Sequence, residues 1–167
     1  TPVMMQLRIR SCHVQGEFVA KNNRAPKIGT KNKMADPASF LYDRLAHPPV
    51  TFSQEKLKVA ARLPAAQRYI VEHGLNELID GDQKSLGIIV QGGIYNTLMR
   101  RLQTMGLADA FGNSQIPVLV LNVTHPLVSG QITDFCAGKN AVLMVEEGNP
   151  EFLEHQISAM LRKADLN

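Results

Sequence analysis

Three short apolar stretches divide the second half of the chain: residues 86–90, 117–121 and 141–145. None of them has a polar side, and continuous runs of this length are typical of β-strands that are buried on both faces. Strands of this kind lie in parallel sheets that are covered by helices on both sides. The pattern therefore predicts three central strands of a parallel sheet.

Amphipathic helices are predicted between and after these strands. The first has a buried stripe and ends before Gly106, with apolar positions at Ile94, Leu98, Leu102 and Met105. Ser129 is predicted to cap a short second helix that buries Ile132, Phe135 and Cys136. Asn149 is predicted to cap the last helix, with Pro150 at its first position and a buried stripe of Leu153, Ile157, Met160 and Leu161. Alternating strands and helices predict a three-layer α/β/α fold with a mostly parallel sheet.

Two further helices are predicted before the first strand. Ser53 can cap the first of them. Pro64 is predicted to interrupt it and to start a second helix that runs to His73. Gly74 then closes that helix in the left-handed conformation, and Asp80 begins a turn. The α/β domain is therefore expected to span residues 53–167.

The first 52 residues follow a different pattern. Residues 3–10 end in alternation of apolar and basic positions, which predicts a half-buried strand. Residues 11–47 show neither the helical nor the strand period and are rich in turn residues, so we expect an extended linker. Thr1 rather than Met stands first, and a strand with no neighbouring strand follows at once. We therefore expect the chain to be a piece of a longer protein.

Charge separates the same two regions. Residues 1–84 carry 13 Lys and Arg against 8 Asp and Glu, whereas residues 85–167 carry 5 against 7. The basic arm, with Lys21, Arg24, Lys27, Lys31 and Lys33, could bind a polyanion. It has no interleaved aromatic residues for stacking on a single strand, so a solvated segment that wraps a protein partner is favoured.

Composition narrows the class of protein. A chain of 167 residues with 44% hydrophobic and 20% charged residues is an ordinary globular chain. It has no apolar run of about 20 residues, so we expect no membrane association. The net charge of +3 is too small to argue for nucleic acid. Two cysteines cannot form a disulfide framework or a four-ligand zinc site, so we expect a cytoplasmic protein.

Candidate functional residues follow the predicted strands, where ligands bind in open parallel sheets. The Gly92-Gly93 turn opens a helix and could hold an anion, but it lacks a nucleotide-binding motif, so a tight structural turn is favoured. Thr124 and His125 follow the second strand, and His125 could act as a base. No catalytic partner lies near it in sequence, so a structural role is favoured for His125 as well.

The acidic and cysteine residues give no stronger site. Glu146 and Glu147 follow the third strand as neighbours, so their side chains diverge, and we expect them to bind nearby turns or another domain. Cys136 is interpreted as inert core. Cys12 and His13 could ligate a metal, but they lack a second pair of ligands. The residues alone predict no catalytic residues and no metal site.

Three segments resemble a known family. They are LGIIVQGGIYN at residues 86–96, LNVTHPL at 121–127 and VLMVEEGNP at 142–150. Their sequences and order resemble the alpha subunit of indolepyruvate ferredoxin oxidoreductases, a branch of the 2-oxoacid:ferredoxin oxidoreductases. The resembling part looks like the C-terminal domain of transketolase. Residues 2–13 are more loosely similar to the closing strand of the preceding pyrimidine-binding domain.

The resemblance implies a function for the whole enzyme. The family oxidatively decarboxylates aryl-2-oxoacids on thiamine diphosphate with Mg²⁺, passes electrons through 4Fe–4S clusters to ferredoxin and forms the acyl-coenzyme A. This part then has no cofactor of its own, is inactive in isolation, and associates with other domains and subunits in a homo-oligomer. The alternative is a free-standing Rossmann-like module that binds a ligand or anion at Gly92 and Gly93.

Overall fold

The computed structural model describes residues 4–6, 15–17, 19 and 41–165. Contacts between residues divide the chain into two compact units, Thr1–Leu41 and Tyr42–Asn167. In the first unit, residues 4–6 belong to no strand, so the strand predicted over residues 3–10 is absent there. Its remaining positions and the basic side chains of the arm lie outside the described residues. The predicted division between residues 52 and 53 stays a prediction.

The second unit begins with a short 3-10 helix, Tyr42–Arg44, which is followed by a nearly continuous helical segment. Helix α1 (Val50–Leu57) leads through a π-helical stretch, Lys58–Arg62, into α2 (Leu63–Glu72). The prediction that Ser53 caps α1 was wrong, because the helix begins at Val50, directly after Pro49. Pro64 lies in the first turn of α2, as predicted, but the helical path continues through it. A proline ring clashes with the carbonyl four residues earlier, and the wider π turn before it provides room.

The sheet contains four strands: β1 (Glu77–Ile79), β2 (Leu86–Gln91), β3 (Val118–Leu121) and β4 (Ala141–Val145). Their spatial order is β1-β3-β2-β4. Strand β2 pairs in parallel with both β3 and β4, in registers that set Ile89 beside Leu119 and Met144. The three predicted strands are therefore confirmed. Strand β1 pairs antiparallel with β3 and was not predicted, because three residues are too few to show a period.

Helices cover both faces of this sheet. Helix α3 (Tyr95–Thr104) covers one face, on which Met99 and Leu102 pack against side chains of β2 and β3. Helices α4 (Ser129–Cys136) and α5 (Phe152–Lys163) cover the other, where one cluster joins Ile89, Leu119, Leu121, Ile132, Phe135, Leu153 and Ile157. This arrangement confirms the three-layer α/β/α fold with a mostly parallel sheet. None of the helices in the described part of the chain has the length and apolarity to cross a bilayer.

Several predicted helix details differ from the structure. Met105 lies just after α3 and is 57% exposed, because the buried stripe runs through Met99 instead. Gly106 follows with a φ of +73°, as expected for a residue that ends a helix. Ser129 does not cap α4, which is preceded by Val128 and has no side-chain cap. The last helix begins at Phe152, two residues later than Pro150.

Candidate functional site

The carboxyl ends of β2, β3 and β4 meet at one edge of the sheet and surround a cleft of about 390 Å³. Strand β2 leads to α3 on one face, whereas its neighbour β4 leads to α5 on the other. The chain therefore diverges between them, which opens a crevice where α/β proteins bind ligands. Thr124 and His125 line this cleft together with Gln91, Glu146 and Glu147. Gly92 and Gly93 do not.

Glu146 is held by the beginning of the last helix. Its carboxylate oxygens accept hydrogen bonds from the backbone N–H of Leu153, at 3.0 Å each, and one of them accepts from Glu154 at 3.2 Å. These donors belong to the first turn of α5, which has no capping side chain of its own. A carboxylate there also faces the positive end of the helix dipole. Glu146 thus binds a nearby turn, as expected, and caps α5 in place of Asn149.

Two other polar residues at this edge tie neighbouring segments together. The side-chain oxygen of Gln91, at the end of β2, accepts the backbone N–H of Glu147 at 2.9 Å. The amide nitrogen of Asn122, after β3, donates to the carbonyl of Leu75 at 3.0 Å and to Glu77 at 2.7 Å. These contacts join β2 to β4 and β3 to β1. Both residues belong to segments that the sequence places at this edge, but their roles were not predicted, although a polar residue that ends a buried strand is a usable signal.

The Gly92-Gly93 turn contains two different glycines. A Cβ built on Gly92 would lie within 3.0 Å of the side-chain oxygen of Asn122, whereas one on Gly93 would meet nothing within 4 Å. A side chain at position 92 would therefore have to displace the side chain of Asn122 at the end of β3. The atom that it faces is a hydrogen-bond acceptor, which repels anions. This geometry supports the structural interpretation of the turn, and an anion site there stays a prediction.

Among the described residues, the titratable side chains that line the cleft are His125, Glu146 and Glu147. The thiol of Cys136 is buried in the core, and this burial raises its pKa, against a smaller opposing effect of Lys139. No three His, Cys, Asp or Glu side chains within the described ranges are grouped to hold a metal ion. Cys12 and His13 lie outside those ranges. The cleft, as described, can donate and accept hydrogen bonds through Gln91, Thr124 and His125.

The fold and this edge together define an α/β domain whose strand-end polar groups hold its own segments in place. Residues 75–164 match the family described as the indolepyruvate ferredoxin oxidoreductase middle domain. The chain belongs to this family. The resemblance that the three motifs carry is therefore confirmed.

Two curated relatives agree with this assignment. Both are named indolepyruvate oxidoreductase subunit IorA. The protein from Methanothermobacter thermautotrophicus is 28% identical over 172 residues, which cover 99% of this chain and 25% of the relative. The protein from Methanothermobacter marburgensis is 31% identical over 148 residues, which cover 87% of this chain and 22% of the relative. The chain thus spans about a quarter of the length of these relatives. No solved structure matches it.

Proposed function

We propose that this chain is an architectural and subunit-association domain of an indolepyruvate ferredoxin oxidoreductase. The whole enzyme would oxidatively decarboxylate indolepyruvate and related aryl-2-oxoacids in the cytoplasm, transfer the electrons to ferredoxin and form the acyl-coenzyme A. Family membership supports the enzyme class. The observation that carries the architectural role is the use of Glu146, Gln91 and Asn122 in hydrogen bonds that hold the fold.

The described residues do not fit the cofactors that such an enzyme needs. A 4Fe–4S cluster requires several thiolates, and the described thiol, Cys136, is buried among apolar side chains. A diphosphate with Mg²⁺ requires free oxygen ligands and N–H donors. At the cleft, Glu146 is already bound to the backbone of α5. We therefore assign thiamine diphosphate, Mg²⁺, the clusters and coenzyme A to other parts of the enzyme.

Exposed apolar side chains support the association role. Along the helical segment from α1 to α2, several large apolar residues are half exposed or more: Phe52, Leu57, Val59, Tyr69 and Val71. Grouped apolar exposure of this kind is typical of surfaces that contact other proteins or domains. Other domains of the same enzyme, in a homo-oligomer, are the partners that this proposal assigns to the surface.

The cleft variants Thr124→Ala and His125→Ala test the absence of a catalytic role. In the full-length enzyme, with indolepyruvate, coenzyme A and ferredoxin, we expect kcat and KM within about twofold of wild type. Both side chains are exposed, so neither variant should unfold the domain. A loss of kcat by more than about a hundredfold, with the assembly intact, would show that the cleft takes part in the reaction.

The association role has its own test. Val59→Asp places a charge on the exposed apolar surface of the helical segment and should shift the enzyme toward smaller species in light scattering. Met105→Asp is the matched control, because Met105 is similarly exposed, at 57% against 64% for Val59, but lies after α3. Equal masses for wild type and Val59→Asp would contradict the proposed surface.

The alternative function, an anion-binding regulatory module, makes the opposite prediction for the Gly92-Gly93 turn. It requires phosphate or a nucleotide to bind with micromolar affinity in calorimetry, and Gly93→Asp to abolish that binding. The architectural proposal expects no binding. The acceptor oxygen of Asn122 beside Gly92 favours the architectural proposal.

A further inference from the structure

A short hairpin loop between α3 and β3 presents Phe111 to solvent. Within residues 107–115, the backbone N–H of Asp109 donates to the carbonyl of Asn113 at 3.0 Å, and the N–H at the end of this range donates to the carbonyl at its start at 2.8 Å. Phe111 lies at the apex of the loop, and its side chain is 92% exposed. The ring therefore buries almost no surface against the described part of the chain.

Hydrogen bonds hold this apex in one shape. The carboxylate of Asp109 accepts the backbone N–H of Phe111 at 2.8 Å and that of Asn113 at 2.9 Å, and it accepts the side-chain amide of Asn113 at 2.6 Å. The side-chain amide of Gln103, near the end of α3, donates to the carbonyl of Asp109 at 2.7 Å. A loop that is ordered before it binds loses little conformational freedom when it meets a partner.

The apex itself is apolar and uncharged. Ala110 and Gly112 flank Phe111, and the charged group of the loop, the Asp109 carboxylate, is engaged by the donors just named. Charges on an interface steer the encounter of partners that diffuse together, whereas permanent interfaces are more hydrophobic. Aromatic side chains that fill a pocket supply much of the affinity of an interface. The apex therefore fits a permanent neighbour that has an apolar pocket.

Exposure alone does not distinguish Phe111, because single apolar side chains on a surface are ordinary. The other exposed phenylalanines within the described ranges, Phe52 and Phe152, are 67% and 63% exposed and lie on helices. Phe111 combines a larger exposed fraction with a loop that Asp109 braces on both sides of it. This combination indicates an anchor residue for a contact.

We propose that Phe111 inserts into an apolar pocket of another domain of the same polypeptide, outside residues 1–167. The length of the relatives leaves room for such a domain, because this chain covers about a quarter of them. The pocket would accept one aromatic ring and be lined by aliphatic or aromatic side chains. The inference rests on the part of the proposed function that makes this chain one domain of a larger enzyme subunit.

Hydroxyl-radical footprinting of the full-length enzyme tests whether the ring is covered. These radicals add oxygen to phenylalanine rings that solvent reaches, and mass spectrometry locates the product. A synthetic peptide of residues 105–117, given the same radical dose, provides the rate for an uncovered ring. We expect Phe111 to react at least about tenfold more slowly in the enzyme than in the peptide. A smaller difference would overturn the proposal.

A photoreactive benzoylphenylalanine in place of Phe111 identifies the occupant. After irradiation of the full-length enzyme, we expect cross-linked peptides from outside residues 1–167, in a gel band that has the mass of one polypeptide. A band with the summed mass of two chains would assign the pocket to another subunit or a second copy and overturn the proposed occupant. Cross-links confined to residues 1–167, or none, would overturn the pocket itself.

A pair of variants tests the fit of the ring. Phe111→Asp should leave the pocket empty, so the cross-linked peptide of the neighbouring domain should be oxidised at least about threefold faster than in wild type. Phe111→Leu is the matched control, because it keeps an apolar side chain at the apex, and it should leave that rate within about twofold. Unchanged oxidation in Phe111→Asp would contradict the insertion.

The covering of Phe111 and the activity of the enzyme are independent readouts. A covered Phe111 in a protein that does not oxidise indolepyruvate would reject the proposed function alone. An uncovered Phe111 in an active enzyme would reject the proposed pocket alone.

Discussion

The centre and the rim of the sheet have the same kind of sequence but different surroundings. Strands β3 and β4 are both uninterrupted apolar runs, yet every residue of β3 is buried, whereas no residue of β4 is fully buried and Ala141 and Leu143 are exposed. An apolar run therefore predicts that a strand exists, while its position in the sheet determines how much of it is covered. The difference teaches that the described residues leave apolar surface of β4 uncovered, above all that of Leu143.

The largest contrast is expected between Leu119→Asp in β3 and Leu143→Asp in β4. Leu119 is 5% exposed in the core, and an unpaired carboxylate there costs several kcal/mol against a total stability of about 5–15 kcal/mol. We expect Leu119→Asp, and likewise Ile89→Asp, to unfold the domain, while Leu143→Asp still melts cooperatively in circular dichroism. A melt of Leu119→Asp within a few degrees of wild type would contradict the central position of β3.

A smaller contrast is expected between the two adjacent glycines after β2. The added methyl group of Gly92→Ala displaces the Asn122 side chain, which bonds to β1 and to the segment before it. We therefore expect the free energy of unfolding to fall by about 1–3 kcal/mol. Gly93→Ala enters open space and should change stability by less than about 1 kcal/mol, because it also restricts the unfolded chain. Urea denaturation measures both values. Equal losses would show that Asn122 moves freely.

At the rim beyond β4, Glu146→Ala removes the cap of α5. We expect a loss of about 1 kcal/mol in urea denaturation, since two N–H groups of the first helical turn lose their acceptor. Glu151→Gln is the control, because it removes one charge near the same helix end and leaves the Glu146 hydrogen bonds in place. If both variants lost the same free energy of unfolding, the interaction of negative charge with the helix dipole, rather than the Glu146 hydrogen bonds, would account for the effect.

The smallest effect is expected in the loop that leads into β3. Hydrogen bonds from the Asn113 side chain and then the Asn113 backbone, with Phe111 contributing less, hold the pKa of Asp109 below its ordinary value. A depressed folded pKa means that this contribution is present above the unfolded pKa and is lost as pH falls through the folded pKa. At neutral pH, Asp109→Asn should have a slightly lower melting temperature than wild type. The two melting curves should converge in strong acid, and a difference that persists there would contradict this origin.

The fold was more predictable than its connections. Continuous apolar runs predicted β2, β3 and β4, because burial on both faces leaves no polar position to obscure a strand. The start of α5 was not predictable from local sequence, since its cap, Glu146, comes from the end of the preceding strand. Strand β1 depends on pairing with β3 rather than on its own three residues. Tertiary contacts determine these features, and no local pattern records them.

At the candidate site, too, the sequence predicts positions better than it predicts tertiary contacts. The position of Thr124 and His125 at the carboxyl edge follows from parallel strands, and the structure places both beside one cleft. The functions of Gln91 and Asn122 depend on which segments lie opposite, and strand order determines this. The sequence therefore predicts which residues lie at this edge. The hydrogen-bond partners of their side chains follow only from the three-dimensional structure.

The order in which the chain is synthesised gives the strand order β3-β2-β4 a consequence for folding in the cell. The central strand β2 is made before both of its neighbours, and the register pairs Leu86 with Ala141, 55 positions later. At about 5–20 residues per second, one edge of β2 stays without its strand for roughly 3–11 s of translation. An apolar strand with an open edge is the substrate that holdase chaperones bind. Nascent chains of this domain should therefore depend on such chaperones until β4 has left the ribosome.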